Sequence, residues 1–206
     1  MSGGLASGTV LRVLIVRHGQ SEWNALGRWQ GQADPPLTEV GLHQAAHAAQ
    51  HVGAVDAVVA SNLERARTTA EIVAELIGIG PVLVDPGFGE RDAGEWEGLT
   101  KDEIADAWPG YLEDRRRPPG FEPDEAFQER IFAALDRVRR QVPHGDVFVV
   151  AHAGVIYQVE SVLGSSFATL PNLGGRWVEA EGEGPWRLGE RVVLVDPDEI
   201  TVPSVQ

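Results

Sequence analysis

Arg17, His18 and Gly19 directly follow four apolar residues, Val13-Leu14-Ile15-Val16. That run predicts a buried strand, and open α/β sheets bind ligands at the carboxyl ends of their strands. The tripeptide therefore offers a fixed cation and a nitrogen nucleophile at a ligand-binding edge. A phosphate monoester carries nearly two negative charges and repels an anionic attacker. Neutral imidazole avoids that repulsion, and a covalent intermediate divides the displacement into two easier steps. Catalysis also needs donors that hold the equatorial oxygens while charge moves to the leaving oxygen. Arg17 can serve, Gly19 leaves room for close approach of backbone and phosphate, and Asn24 can donate an amide hydrogen.

Two more residues can join them if the chain folds as its pattern suggests. Arg65 lies just inside a helical stretch that follows a strand-like run, a natural position for a second anion clamp. His152 ends the apolar run Val147-Phe148-Val149-Val150 and precedes Ala153-Gly154 and a helical pattern. If the strands before His18 and His152 are adjacent and parallel, both imidazoles emerge at one sheet edge.

The elements needed to position these groups alternate along the chain. Strand-like runs at 10–16, 56–60, 81–85 and 146–151 are separated by helical patterns at 39–52, 62–78, 100–116 and 124–141. Such alternation predicts an α/β fold, three layers (α/β/α) around a mainly parallel central sheet. Thr38 is an expected N-cap, and Thr100-x-x-Glu103 reads as a capping box opening a helix that Trp108-Pro109 interrupts. After Gly164, short apolar runs split by Gly/Glu turns predict C-terminal edge strands and a hairpin. The expected organisation is a flexible N-terminal tail over residues 1–9 and a single domain over 10–206.

Four blocks in order give the chain a family resemblance. Arg17-His18-Gly19 is followed by Trp23-Asn24, Gln30-Gly31-Gln32-Ala33-Asp34 and Leu37-Thr38-x-x-Gly41. Then come Ser61-Asn62-Leu63-Glu64-Arg65-Ala66-Arg67-Thr68-Thr69-Ala70, Glu90-Arg91-Asp92-Ala93-Gly94-Glu95-Trp96-Glu97-Gly98-Leu99, and Val149-Val150-Ala151-His152-Ala153-Gly154. Together they resemble the histidine phosphatase superfamily, the phosphoglycerate-mutase-like enzymes, from about Leu11 to Leu163. The resemblance implies that His18 becomes phosphorylated, that Arg17, Arg65 and His152 bind the transferring group, and that Glu90 is the acid and base. It also places Gly19, Asn24, Gln30, Gly31, Ala153 and Gly154 around the phosphate. Ala153 departs from the His-Gly-Gly found in many relatives. Gly94-Glu95-Trp96-Glu97-Gly98 is closer to the phosphatase branch, whereas Lys101 and Arg115-Arg116-Arg117 resemble mutase cations able to hold a substrate carboxylate or second phosphate.

Composition narrows the partners. A net charge of −14 over 206 residues argues against nucleic acid, which demands a basic surface. No apolar run reaches the roughly 20 residues of a membrane helix. With no cysteine there is no disulfide, thiolate metal site or cysteine nucleophile, and a cytoplasmic location is expected. His43, His47 and His51 are spaced to share a helical face, but Leu42, Ala45, Ala46, Ala49 and Val52 form the expected buried stripe, leaving the histidines on a solvated flank. No metal or other cofactor is expected. The reading is a metal-independent phosphatase acting on a small phosphorylated metabolite. A cofactor-dependent phosphoglycerate mutase and a catalytically silent phosphate-binding module are the alternatives, and a homodimer is left open.

Overall fold

A computed structural model describes residues 10–196, so the expected tail over residues 1–9 lies outside the described residues. Six strands form one sheet: β1 (Val10–Arg17), β2 (Ala57–Ala60), β3 (Leu83–Val84), β4 (Gly145–Ala151), β5 (Gly174–Glu181) and β6 (Arg187–Val193). Their spatial order is β3-β2-β4-β1-β5-β6. The first four are mutually parallel, and β5 and β6 extend the sheet in antiparallel fashion, with β6 at the edge.

Alternate residues of the central strands feed two cores. Leu11, Val13 and Ile15 of β1 and Val147 and Val149 of β4 pack with α5 (Asp124–Gln141) and α6 (Ala153–Val162). Leu14 and Val16 of β1 and Phe148 and Val150 of β4 face the other way, toward α2 (Glu39–Ala48) and α3 (Glu64–Ile77). Both strand faces are apolar because helices cover both, giving the three layers. A third, smaller cluster unites Ala93, Trp96 and Ile104 with Trp29, Trp108 and Phe121. It carries α4 (Lys101–Ala107) and one wall of the cleft described below. The short α1 (Glu22–Ala25) follows β1, and no described helix is long and apolar enough to cross a membrane.

Several element boundaries differ from expectation. The helix expected over 100–116 stops at Ala107, because Pro109 has no N–H to continue it, and turns follow to Arg115. The capping box at Thr100 and Glu103 forms. The run at 81–85 yields only the two-residue β3, bounded by Pro81 and Pro86. The helix expected over 39–52 ends at Ala48, with Thr38 as its N-cap. Its buried residues are Gly41, Gln44, Ala45 and Ala48, while Leu42 is exposed. Gln44 turns inward because its side-chain oxygen accepts the Gln20 N–H at 2.8 Å. His51 falls beyond the helix, and the described residues contain no cluster of three or more potential metal ligands.

Candidate active site

Strand pairing brings the two imidazoles together. Arg17 is in register with Ala151, and the His18 N–H donates to the Ala151 carbonyl at 3.0 Å. The chain leaves β1 and β4 side by side, so the His18 and His152 rings lie 5.2 Å apart, edge to face. On the far side of β4, β2 ends at Ala60, and the Ser61 N–H donates to the Val150 carbonyl. The turn into α3 then delivers Arg65. On α3 the buried residues are Arg65, Ala66, Thr69, Ala70, Val73 and Ala74, a helical stripe whose first member is the arginine.

Arg65 is fully buried and its guanidinium is almost fully committed. NH1 donates to the Ala33 carbonyl at 2.7 Å and faces Asp34 at 3.4 Å, and NH2 donates to the Gly31 carbonyl at 3.0 Å. Nε points at His18 Nε2, 3.3 Å away. The other nitrogen of His18, Nδ1, lies 2.6 Å from the Gly19 carbonyl. A carbonyl only accepts, so Nδ1 carries the proton and Nε2 keeps its lone pair. Burial, reinforced by the charges of Arg65 and then Arg17, holds the His18 imidazole well below its ordinary pKa, against the opposing pull of the Gly19 carbonyl. His152 is depressed likewise by burial, then by Arg65. Both rings are therefore neutral near neutral pH.

Above this floor opens a cleft of about 950 Å³, lined by Arg17, Asn24, Gln30, Gly31, Glu90, Ala153 and Gly154 among others. Its lining also includes Lys101, Arg115, Arg117, Tyr157 and Phe167. Arg17 is anchored by NH1 to the Leu170 carbonyl at 2.8 Å. Asn24 uses its side-chain oxygen to accept from Ser21 N–H and Asn172, and Gln30 accepts from the Ser21 hydroxyl. Both keep their amide hydrogens for another partner.

Glu90 bridges two segments: its Oε1 accepts the Arg91 N–H at 2.7 Å and its Oε2 the Gly154 N–H at 3.2 Å. Arg130 and Gln32 both donate to its carbonyl. A Cβ at position 154 would overlap the Glu90 carboxylate, whereas Ala153 adds its methyl to the cleft wall without such a conflict. The glycine needed after His152 is thus the one retained.

Gly19 is closely packed. It is buried beneath the cleft, where a Cβ would stand 2.6 Å from the Gly41 carbonyl, and its N–H donates to Thr69 Oγ1 at 3.1 Å. Close packing against α2 requires a glycine here. Three supporting residues were not singled out from the sequence. Thr69 lies one turn after Arg65 on the same face, and Ser61 contacts His152 Nε2 at 2.8 Å; both belonged to a recognised block without an assigned role. Asn172 donates to the His18 carbonyl at 2.9 Å from a connection with no pattern to mark it.

The chain belongs to the histidine phosphatase superfamily (branch 1), whose description matches residues 13–176. Among its relatives, the "Uncharacterized phosphatase PhoE" of Bacillus subtilis is 33% identical over 70% of this chain and 73% of its own length. A "Probable phosphoglycerate mutase GpmB" of Photorhabdus laumondii is 38% identical over 69% of this chain and 70% of its own. Other matched relatives are longer, and the chain spans 42% of their length. A solved structure of mycobacterial glucosyl-3-phosphoglycerate phosphatase complexed with VO3 superposes with a TM-score of 0.76 and 28% identity, covering 86% of this chain and 96% of that one.

Proposed function

We propose that the protein hydrolyses small phosphate monoesters through a phosphohistidine intermediate on His18. The observation that carries this reading is the state of His18: a buried neutral imidazole, protonated at Nδ1 against the Gly19 carbonyl, with the Nε2 lone pair facing Arg65. Nε2 attacks phosphorus as the ester P–O bond breaks. Arg17 and Arg65 balance the charge on the equatorial oxygens, with neutral His152 contacting the group and Asn24 and Gln30 adding amide donors. Glu90, in its acid form, gives its proton to the departing alkoxide. As carboxylate it then takes a proton from the water that cleaves the N–P bond, which releases phosphate and restores His18.

Arg17 and Arg65 supply the positive charge, so activity is expected to persist under exhaustive chelation. Lys101, Arg115 and Arg117 on the cleft wall suit a substrate with a second anionic group, such as a phosphorylated acid or sugar acid. The similarity to both phosphatases and mutases supports phosphoryl transfer chemistry as the common step. Brief labelling with a radioactive phosphoester tests the reading. The label is expected on His18, labile in acid and stable in base, and absent from His18→Asn. An equally labelled His18→Asn protein, or no label on wild type during turnover, overturns it.

A further inference from the structure

In the lining of the cleft, a buried carboxylate is committed to two arginines. Glu160 of α6 is 2% exposed. Arg191 of β6 grips it with a two-pronged contact, Nε to Oε1 at 2.6 Å and NH2 to Oε2 at 2.5 Å, and Arg176 of β5 stands 3.7 Å from Oε1. Desolvation offsets much of the attraction in a buried ion pair, so its net stabilisation is small. A bidentate pair does, however, fix the orientation of both partners.

The same guanidinium reaches onward. Arg191 NH2 donates to the Ala168 carbonyl at 3.0 Å and NH1 to the Thr169 carbonyl at 3.3 Å. The next residue, Leu170, accepts the hydrogen bond from Arg17 NH1 through its carbonyl and donates its N–H to the Tyr157 hydroxyl at 2.9 Å. Residues 165–171 form neither helix nor strand, so contacts such as these, together with the buried Leu170 side chain, hold the Leu170 carbonyl in place. Glu160 sets Arg191, Arg191 sets 168–169, and Leu170 sets Arg17.

From this chain of contacts we infer that Glu160 and Arg191 are positioning residues that fix the aim of Arg17 through the connection at 168–170. The inference rests on the reading of Arg17 as a ligand of the transferring phosphoryl group. An arginine fork holds phosphate only in a narrow range of geometry, and a displacement near 1 Å can cost about 10²-fold in rate.

A double-mutant cycle tests it. Arg191→Met is expected to lower kcat/KM about tenfold and to weaken inhibition by vanadate by a similar factor, in the range typical of coupled contacts. Placed on Arg17→Ala, the same substitution is expected to change kcat/KM by less than about twofold, because the residue it positions is gone. Should Arg191→Met fail to fold, Glu160→Gln, which keeps the shape of the side chain, serves in the same cycle. Equal losses in both backgrounds would show a general structural role and overturn the inference, as would wild-type kinetics for the single variant. An Arg17→Ala enzyme with undiminished activity would instead remove the reading of Arg17 itself, and the inference with it.

Discussion

Arg65 meets His18 nitrogen to nitrogen, with the guanidinium Nε 3.3 Å from the imidazole Nε2. Two cations cannot share that contact in a buried site, so the arrangement requires a neutral His18 with its lone pair turned toward the arginine. The Gly19 carbonyl enforces the same tautomer from the other side of the ring. In the proposed reaction a phosphoryl oxygen replaces this contact: Arg65 takes the oxygen while the lone pair takes the phosphorus.

Arg65→Lys is therefore expected to be severe although it keeps the charge. One ammonium cannot occupy the Gly31, Ala33 and His18 contacts at once. A fall in kcat/KM of about 10²–10³, equivalent to roughly 3–4 kcal/mol of lost transition-state stabilisation, is expected from steady-state kinetics. Turnover within a few-fold of wild type would remove Arg65 from the site.

The depressed pKa values of His18 and His152 make a stability prediction. In the unfolded chain both imidazoles take up protons near 6.5, whereas burial first, and then the neighbouring arginine charges, keep them neutral in the folded protein. Above pH 6.5 neither state is protonated there and the difference vanishes. As pH falls below 6.5 the unfolded chain binds more protons, so stability drops, by up to about 1.4 kcal/mol per pH unit for each histidine. Urea unfolding at pH 7 and pH 5 is expected to show a smaller acid loss in His18→Gln and His152→Gln than in wild type. Identical losses in all three would mean that the rings are free to protonate.

The pairing of His18 with His152 could be read from the sequence because each closes a continuous apolar run, the mark of a parallel strand buried on both faces. Arg65 was legible for a similar reason, since it heads the stripe that continues through Thr69 and Val73. The supports of these groups were not. Gln44 reads as a surface residue until Gln20 supplies its partner, and the packing of Gly19 against Gly41 leaves no mark in the pattern. Leu170 and Asn172 act from a stretch without periodicity, one of them through its carbonyl, a group every residue possesses. Periodicity reports burial in regular elements, and it carries no information about which irregular segment returns to the site.

Position 154 offers a test of Glu90 that leaves the carboxylate chemically intact. In Gly154→Ala the new methyl would overlap the Glu90 carboxylate, the mobile end of a side chain, so the fold can survive while the carboxylate shifts and loses the 154 N–H. Proton donation matters for alkyl phosphates, whose alkoxide is a poor leaving group, and little for activated aryl phosphates. Both Gly154→Ala and Glu90→Gln are expected to slow alkyl phosphates by about 10²-fold or more and aryl phosphates far less. Equal slowing of the two classes would assign Glu90 a structural role and move the acid to a neighbouring carboxylate.

Hydrolysis and mutase-type transfer share the phosphohistidine and diverge in what reaches it next. A mutase must hold water away until the phosphoryl group returns to substrate, which calls for a cover over the site. Between Arg117 and His152 the chain contains α5 and β4 with their connections, and α5 is directed into the core through Phe127, Ile131, Ala134 and Leu135. Of the residues in that segment, Arg117, Phe121 and Asp124 line the cleft, all of them before the second turn of α5. The segment forms part of a wall and builds no lid. Against this stand Lys101, Arg115 and Arg117, which could hold the carboxylate of a mutase substrate, and the similarity to a probable phosphoglycerate mutase. Water access decides the partition, so net phosphate release is expected to dominate. Incubation with 3-phosphoglycerate and a trace of 2,3-bisphosphoglycerate should give inorganic phosphate or no reaction. Conversion to 2-phosphoglycerate outpacing phosphate release by about 10²-fold would require water to be excluded by closure of the walls described here, and would make the enzyme a mutase.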